Sequence, residues 1–451
     1  MTYSYCVVGG GVSGLTAAYR LRAAVGDDAT ITLFDPADRL GGVLRTERVG
    51  GQPMDLGAEA FVLRRPEMPA LLAELGLADR QRTTTGARPL LYSGARLHPL
   101  PSDTVVGIPS SADSVAGLVD AATIARIETE PGRPFSWRPG ADPAVAELVA
   151  DRFGEQVVAR SVDPLLGGVY AGSAATIGLR AAAPSVAAAL DRGATSLTDA
   201  VRQGLPPPSG APVFGTLDGG YRVLLDELAR RSRVRWVRAG IVRLESGWEL
   251  TDDSGTGWRF DAVILAVPAP QLARLVGGVA PRAATAAGRI TSASSVVVAL
   301  AVPRDTPFPQ QSGVLVATGE RLRAKAITLS SRKWGQHADT QLLRLSFGRF
   351  GEDLAASASD ADLLTWALDD LATVFGLRVQ PLDVRLQRWI DAMPQYGPGH
   401  ADLVAQVRAE LPPTLGVAGS YLDGIGVPAC IAAAGKAVTR VIESLDAQVA
   451  R

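Results

Sequence analysis

Apolar residues run unbroken in short segments near both ends of the chain and in alternating or helical patterns between them. Residues 3–8 end in Val7-Val8 against Gly9-Gly10-Gly11 and read as a buried strand. Val12 to about Val25 reads as a helix, and residues 29–35 as a second strand ending at Asp35. This strand–helix–strand unit predicts a doubly wound α/β sheet. Residues 66–77 predict a short amphipathic helix. Asp142-Pro143 supplies an N-cap and an N1 proline for a helix whose apolar face is Val145, Leu148, Val149, Phe153, Val157 and Val158. Pro206-Pro207-Pro208-Ser209-Gly210 reads as a linker.

Strand patterns return at 234–243 and 247–251, and Asp261 to Val267 reads as a buried strand stopped by Pro268. Residues 290–350 alternate like a second, antiparallel sheet. The last 50 residues come back to a strand over Gly416–Ser420, a glycine loop, and a helix from Pro428 with the apolar face Ile431, Ala434, Val438 and Val441. The expected organisation is interleaved. A nucleotide domain is built from 1–85, 206–280 and 401–451. A mainly helical insertion spans 86–205, and a substrate-facing sheet domain spans 281–400.

The glycines carry the first chemistry. Gly9-x-Gly11-x-x-Gly14 sits between a predicted strand and a predicted helix, the context a dinucleotide motif requires. Gly9 permits the turn, Gly11 lets backbone approach a pyrophosphate, and Gly14 lets helix pack on strand. The helix N-terminus favours phosphate charge. Asp35, 21 residues beyond Gly14, is placed to accept ribose hydroxyls. The alternative is a plain tight turn. The pair Gly41-Gly42 follows after Arg39, and Asp55-Leu-Gly57-Ala58-Glu59-Ala60 comes soon after. A nicotinamide enzyme has no use for that second glycine pair, whereas FAD runs on past the pyrophosphate and does. The C-terminal helix would set its positive end against the anion a flavin forms on reduction; the alternative is a helix that only packs on the sheet.

Composition narrows the partners. The chain has 451 residues, 47% hydrophobic and 20% charged, with net charge −1, so nothing favours nucleic acid. Of its 45 basic residues only Lys325, Lys333 and Lys436 are lysines, which is the mark of a GC-rich genome. Cys6 and Cys430 fit a reducing cytosol, with a redox pair as the alternative. His98, His337 and His400 are scattered, so no metal is implied. No run approaches the roughly 20 apolar residues of a membrane span, and no signal peptide precedes the first strand; a cytoplasmic protein is expected, with peripheral membrane contact left open.

Beyond these features, the chain resembles the bacterial protoporphyrinogen/coproporphyrinogen oxidase family, within the amine-oxidase-like FAD superfamily. The likeness rests on Asp163-Pro164-Leu-Leu-Gly167-Gly168-Val-Tyr170-Ala-Gly172, on Arg388-Trp389 with Met393-Pro394-Gln395-Tyr396 and Gly399-His400, and on Tyr421-Leu-Asp-Gly424-Ile-Gly426-Val427-Pro428-Ala-Cys430-Ile431. Further similarity lies at Phe61–Glu67, Leu97–Pro101 and Ser330–Trp334, in order along nearly the whole chain. The resemblance implies non-covalent FAD contacts at Gly9, Gly10, Gly11, Val12, Ser13, Gly14, Asp35, Arg39, Gly42, Gly57, Ala58, Glu59, Ala60, the backbone of Val242, Trp389, Ile425, Gly426 and Val427. It implies oxygen-dependent, six-electron oxidation of a porphyrinogen in haem synthesis, with hydrogen peroxide released in each of three rounds. No catalytic side chain is implied, because the flavin carries the chemistry.

For substrate, the resemblance places Gly168, beside Tyr170, against the macrocycle. Arg64 and Arg88 are candidates for propionates, surface arginine being the alternative for each. Eukaryotic members carry their substrate arginine where Pro89 stands here, one residue after Arg88. Ala429 stands where relatives often have an acid. Coproporphyrinogen III is favoured over protoporphyrinogen IX by the lack of a membrane-inserting stretch and by the arginine-rich composition of actinobacteria. Amine oxidation, with Lys333 as the candidate flavin lysine, and a flavin-free binding protein are the readings from other classes. Whether a ferrochelatase docks transiently to receive product stays open.

Overall fold

The computed structural model describes residues 3–207, 210–336 and 338–449. Pro208 and Ser209 of the expected linker, and His337, lie outside the described residues. Five strands form one wholly parallel sheet: β1 (Ser4–Val8), β2 (Thr30–Phe34), β3 (Arg235–Val237), β4 (Ala262–Leu265) and β5 (Leu415–Val417), in the order β3-β2-β1-β4-β5. The centre strand is the first in sequence. Cys6 pairs with Thr32 on one side and Val263 on the other. Strands drawn from three distant stretches therefore depend on one another for their backbone hydrogen bonds.

Period-two alternation decides which core each residue enters. Tyr5 and Val7 pack with Ile31, Leu33 and Ile264 beneath two helices, α1 (Val12–Val25) and the C-terminal helix; Cys6 and Val8 pack with Phe34, Val263 and Leu265 on the opposite face. Ile431, Ala434, Val438 and Val441 are all buried against α1, as their spacing predicts. The two cysteines are free and belong to cores on opposite faces, so they do not form a pair.

The predicted 234–243 strand is two strands. Its first half extends the parallel sheet as β3, while Ile241–Glu245 joins an antiparallel three-stranded sheet with Glu249–Asp252 and Gly257–Arg259. The break at Ala239-Gly240 exists because one segment serves two sheets.

The second large sheet has seven strands, in the order 383–394, 292–303, 340–347, 326–328, 313–316, 90–93 and 96–99. The hairpin Leu90–Ser93/Arg96–Pro99 belongs to this sheet and not to the helical insertion, and its junction with Gly313–Val316 is parallel, so the sheet is not purely antiparallel. One face is covered by Asp360–Phe375 through Leu363, Ala367 and Leu371. The other places Ala299, Ala301 and Leu342 on Val49, Met54 and Leu56 from the nucleotide side.

The helical insertion packs Ala121–Thr129, Val145–Phe153, α2 (Asp163–Tyr170), Pro184–Asp191 and Leu197–Gly204 around one core that includes the predicted apolar face. Asp142 does not cap the helix, which starts at Val145 after Ala144. Its carboxylate instead accepts the Arg180 and Gly399 amides at 2.8 and 2.9 Å, tying the insertion to the sheet's C-terminal flank. Glu130 is the insertion's polar centre. It accepts Arg152 Nε at 2.8 Å, the Leu197 and Thr198 amides, and the Thr198 hydroxyl. Burial opposes its ionisation, but these hydrogen bonds outweigh it and hold the carboxyl below the ordinary glutamate range. Removing one member of a buried, hydrogen-bonded pair costs about 3–5 kcal/mol. Glu130→Ala is expected to lose that much in urea unfolding, whereas a loss typical of a surface substitution would mean that Arg152 finds other partners.

Candidate active site: a dinucleotide cleft behind a charged wall

The turn from β1 into α1 is closed to side chains. A Cβ on Gly14 would lie 1.8 Å from the Gly9 carbonyl oxygen, and one on Gly9, where φ is +105°, would lie 2.4 Å from that of Ala266. Such glycines let helix, strand and loop approach without a gap. The first-turn amides of α1 have no intrahelical acceptors and its N-cap, Gly11, offers no side chain to them; Val12 and Ser13 line the cleft beside them.

The cleft runs across the carboxyl ends of the parallel strands and encloses about 300 Å³. Phe34, Asp35 and Ala239–Ile241 line it, as do Gly41–Val43, Ser292, Asp391, Pro394 and Gly419–Tyr421, and Gly41 lies beside the α1 turn with its amide donating to the Gly10 carbonyl at 2.8 Å. Asp35 accepts the Gly10 amide at 2.6 Å and the Ala37 amide at 2.9 Å, which fixes its carboxylate beside the α1 turn. A bare-amide helix start, an oriented acid and glycines that admit no side chain fit a flavin dinucleotide.

Several expected positions do not line this cleft. Gly10 and Gly14 shape the turn from behind. Arg39 donates to the carbonyls of Leu40, Gly42 and Leu44 at 3.3, 2.7 and 2.9 Å, holding the second glycine loop in shape. The Val242 side chain points outward, 60% exposed, while neighbouring Ile241 is buried and faces the cleft. Ile425, Gly426 and Val427 lead into the C-terminal helix, and within that turn it is Cys430 that lines the wall. Sequence reasoning missed Val43, Ser292, Asp391 and Ser420, which lie outside any motif; the Ala239-Gly240 break was the legible signal for its neighbours.

Gly57 to Ala60 form a second layer. A Cβ on Gly57 would lie 2.0 Å from the Val43 carbonyl oxygen and 3.4 Å from the Trp389 ring, so this segment backs the cleft wall. Trp389 Nε1 donates to the Leu56 carbonyl at 2.8 Å. Glu59 is turned away from the cleft into a buried cluster, accepting Ser330 Oγ and Lys333 Nζ, both at 2.7 Å, with Arg344 at 3.8 Å. Burial opposes its charge, yet Arg344 and Lys333 prevail and hold its carboxyl down to about 2. Asp55 behaves oppositely. Desolvation pushes it up to about 7 against hydrogen bonds from Thr46 Oγ1 and the Tyr221 amide.

Gly168 is exposed near the end of α2, facing Leu315 on the large sheet. The Tyr170 ring meets Tyr396 at 5.8 Å; Tyr396 stacks on His400 and donates its hydroxyl to the carbonyl of Ser420, a cleft residue. Arg64 and Arg88 are exposed, their side chains have no hydrogen bond or ion pair among the described residues, and neither lines the cleft. No cluster of metal-ligating side chains is found among the described residues. No described helix is long and apolar enough to cross a membrane.

The fold and cleft define an α/β oxidoreductase of the flavin-dinucleotide type. A family model for flavin-containing amine oxidoreductases matches residues 12–442, and the chain belongs to that family. It is 77% identical over 448 residues to the coproporphyrinogen III oxidase of Mycobacterium tuberculosis (strain CDC 1551 / Oshkosh), covering 99% of each chain. It is 74% identical over 451 residues to that of Mycobacterium leprae, with the same coverage. A solved structure from Exiguobacterium sp. 255-15, described as a candidate protoporphyrinogen oxidase, superposes with a TM-score of 0.87 at 28% identity over 99% of both chains.

Asp55 generates a pH prediction. The folded state keeps its proton up to about pH 7, while the unfolded chain releases it near 4, so between these values the folded state binds more protons and stability falls as pH rises. Asp55→Asn keeps the shape and removes the titration. Thermal unfolding across this window should show a shallower decline for the variant; an unchanged slope would assign the dependence to other groups.

Proposed function

We propose that the chain oxidises coproporphyrinogen III to coproporphyrin III in haem synthesis, using non-covalently bound FAD and three molecules of dioxygen, which leave as hydrogen peroxide. The strongest single support is 77% identity, over 99% of both chains, to a protein named for that activity. The bound flavin supplies hydride acceptance and reoxidation by oxygen. The residues of the chain supply place and environment. The Gly9–Gly14 turn and Asp35 fix the dinucleotide. Gly168, exposed and lacking a side chain, would let a flat macrocycle approach the α2 backbone closely, and Tyr170 and Tyr396 brace α2 against the cleft at Ser420. Asp35 is held by two amides, and Asp391 accepts Ser294 Oγ at 3.4 Å.

Amine oxidation through a flavin lysine is disfavoured by Lys333, whose ammonium is committed to Glu59, and by Lys325, which is buried and donates to the Gly348 carbonyl. Protoporphyrinogen IX is the second reading, supported by the description of the Exiguobacterium structure. Assaying both porphyrinogens by porphyrin fluorescence with peroxide detection distinguishes them. Faster turnover of coproporphyrinogen III, with three peroxides per porphyrin, is expected; equal or faster turnover of protoporphyrinogen IX would reverse the assignment.

A further inference from the structure

The buried cluster behind Gly57 is not balanced in charge. Arg344 Nη1 donates to the carbonyls of Gly57 and Asp55 at 2.8 and 3.2 Å, and its buried Nε has no hydrogen-bond partner among the described residues. Lys333 is the second cation and Glu59 the one committed anion, all three with side chains no more than 21% exposed. Asp55, pushed up to about 7 by burial, is neutral below that pH and there does not cancel the excess. Nearby charges at the surface cancel among themselves: Arg45 and Arg385 against Glu47 and Asp383. Below that pH one uncompensated positive charge thus sits behind Gly57 and Val43, the latter a residue of the cleft wall. In an interior of low dielectric, such a charge acts over several ångströms with little screening.

We propose that Arg344 and Lys333, opposed by Glu59, set the electron affinity of the bound flavin through the wall formed by Val43 and Gly57. The inference rests on the flavin reading above. These are positioning residues that act at a distance: they touch neither substrate nor cofactor, and their excess charge favours the anionic state the cofactor takes on reduction. The arrangement suits an enzyme that must draw three electron pairs from one macrocycle. Because the cluster holds both signs, its members must push in opposite directions.

The test is the two-electron midpoint potential of the purified holoenzyme, measured by dye equilibration. Arg344→Met and Lys333→Met should each disfavour reduction by roughly tenfold in the equilibrium constant, about 30 mV for a two-electron couple. Glu59→Gln should favour reduction by a similar factor, and Arg344→Lys should stay near wild type. A structural role alone would move Glu59→Gln and Arg344→Met the same way. Shifts of one sign, or none, overturn the inference. If Arg344→Met purifies without flavin, the opposition between Lys333→Met and Glu59→Gln decides. A colourless wild-type protein would refute the flavin reading itself, whereas a yellow one whose potential ignores these charges would refute only this inference.

Discussion

The turn between β1 and α1 is the constraint on which the rest depends. Gly14 sits where a Cβ would lie 1.8 Å from the Gly9 oxygen, and Gly9 sits where one would meet Ala266 at the end of β4. This double contact brings α1 down onto the sheet and aims its uncapped first turn into the cleft. It also brings the N-terminal turn against the end of a strand some 250 residues further along the chain. With the turn closed, β1 can accept β2 on one side and β4 on the other, and β5 completes the sheet beside β4. A side chain at either glycine would open the turn, the cofactor seat and the assembly of the three chain segments together.

The same economy appears between the sheets. Glu59 follows the glycine pair of the second motif, yet it serves as a buried counterion for Lys333 and Arg344 on the substrate side. Trp389 spans the same junction from the strand Asp383–Pro394 of the large sheet to the Leu56 carbonyl. The junction therefore combines apolar packing of Ala299, Ala301 and Leu342 with buried charge whose loss would be expensive. Substrate sheet and nucleotide sheet are held in one register while the cleft keeps an apolar lining.

The sequence made the nucleotide half legible because glycine spacing, strand alternation and helix periodicity are local signals. Gly9, Gly11, Val12, Ser13, Asp35 and Gly42 all line the cleft. What stayed hidden is tertiary. Asp142-Pro143 reads as a helix cap in isolation, but Gly399 and Arg180 claim the carboxylate. The 90–99 hairpin reads as part of the segment after it, but its partner is Gly313–Val316. Arg39 and Glu59 sit inside glycine motifs, and their side chains hold the loop and the wall, which only the tertiary structure shows. Arg64 and Arg88 have no local signal to distinguish a propionate ligand from a surface arginine, and their side chains have no partner among the described residues that would make the distinction.

The central claim is that three separated stretches of this chain close on one flavin that takes electrons from a porphyrinogen. The most direct measurement is the visible spectrum of the purified protein mixed anaerobically with coproporphyrinogen III. The account predicts a flavin band that bleaches on mixing, returns when air is admitted, and leaves with the cofactor when the protein is denatured. A colourless protein, or a flavin band that coproporphyrinogen III leaves unchanged, would contradict it.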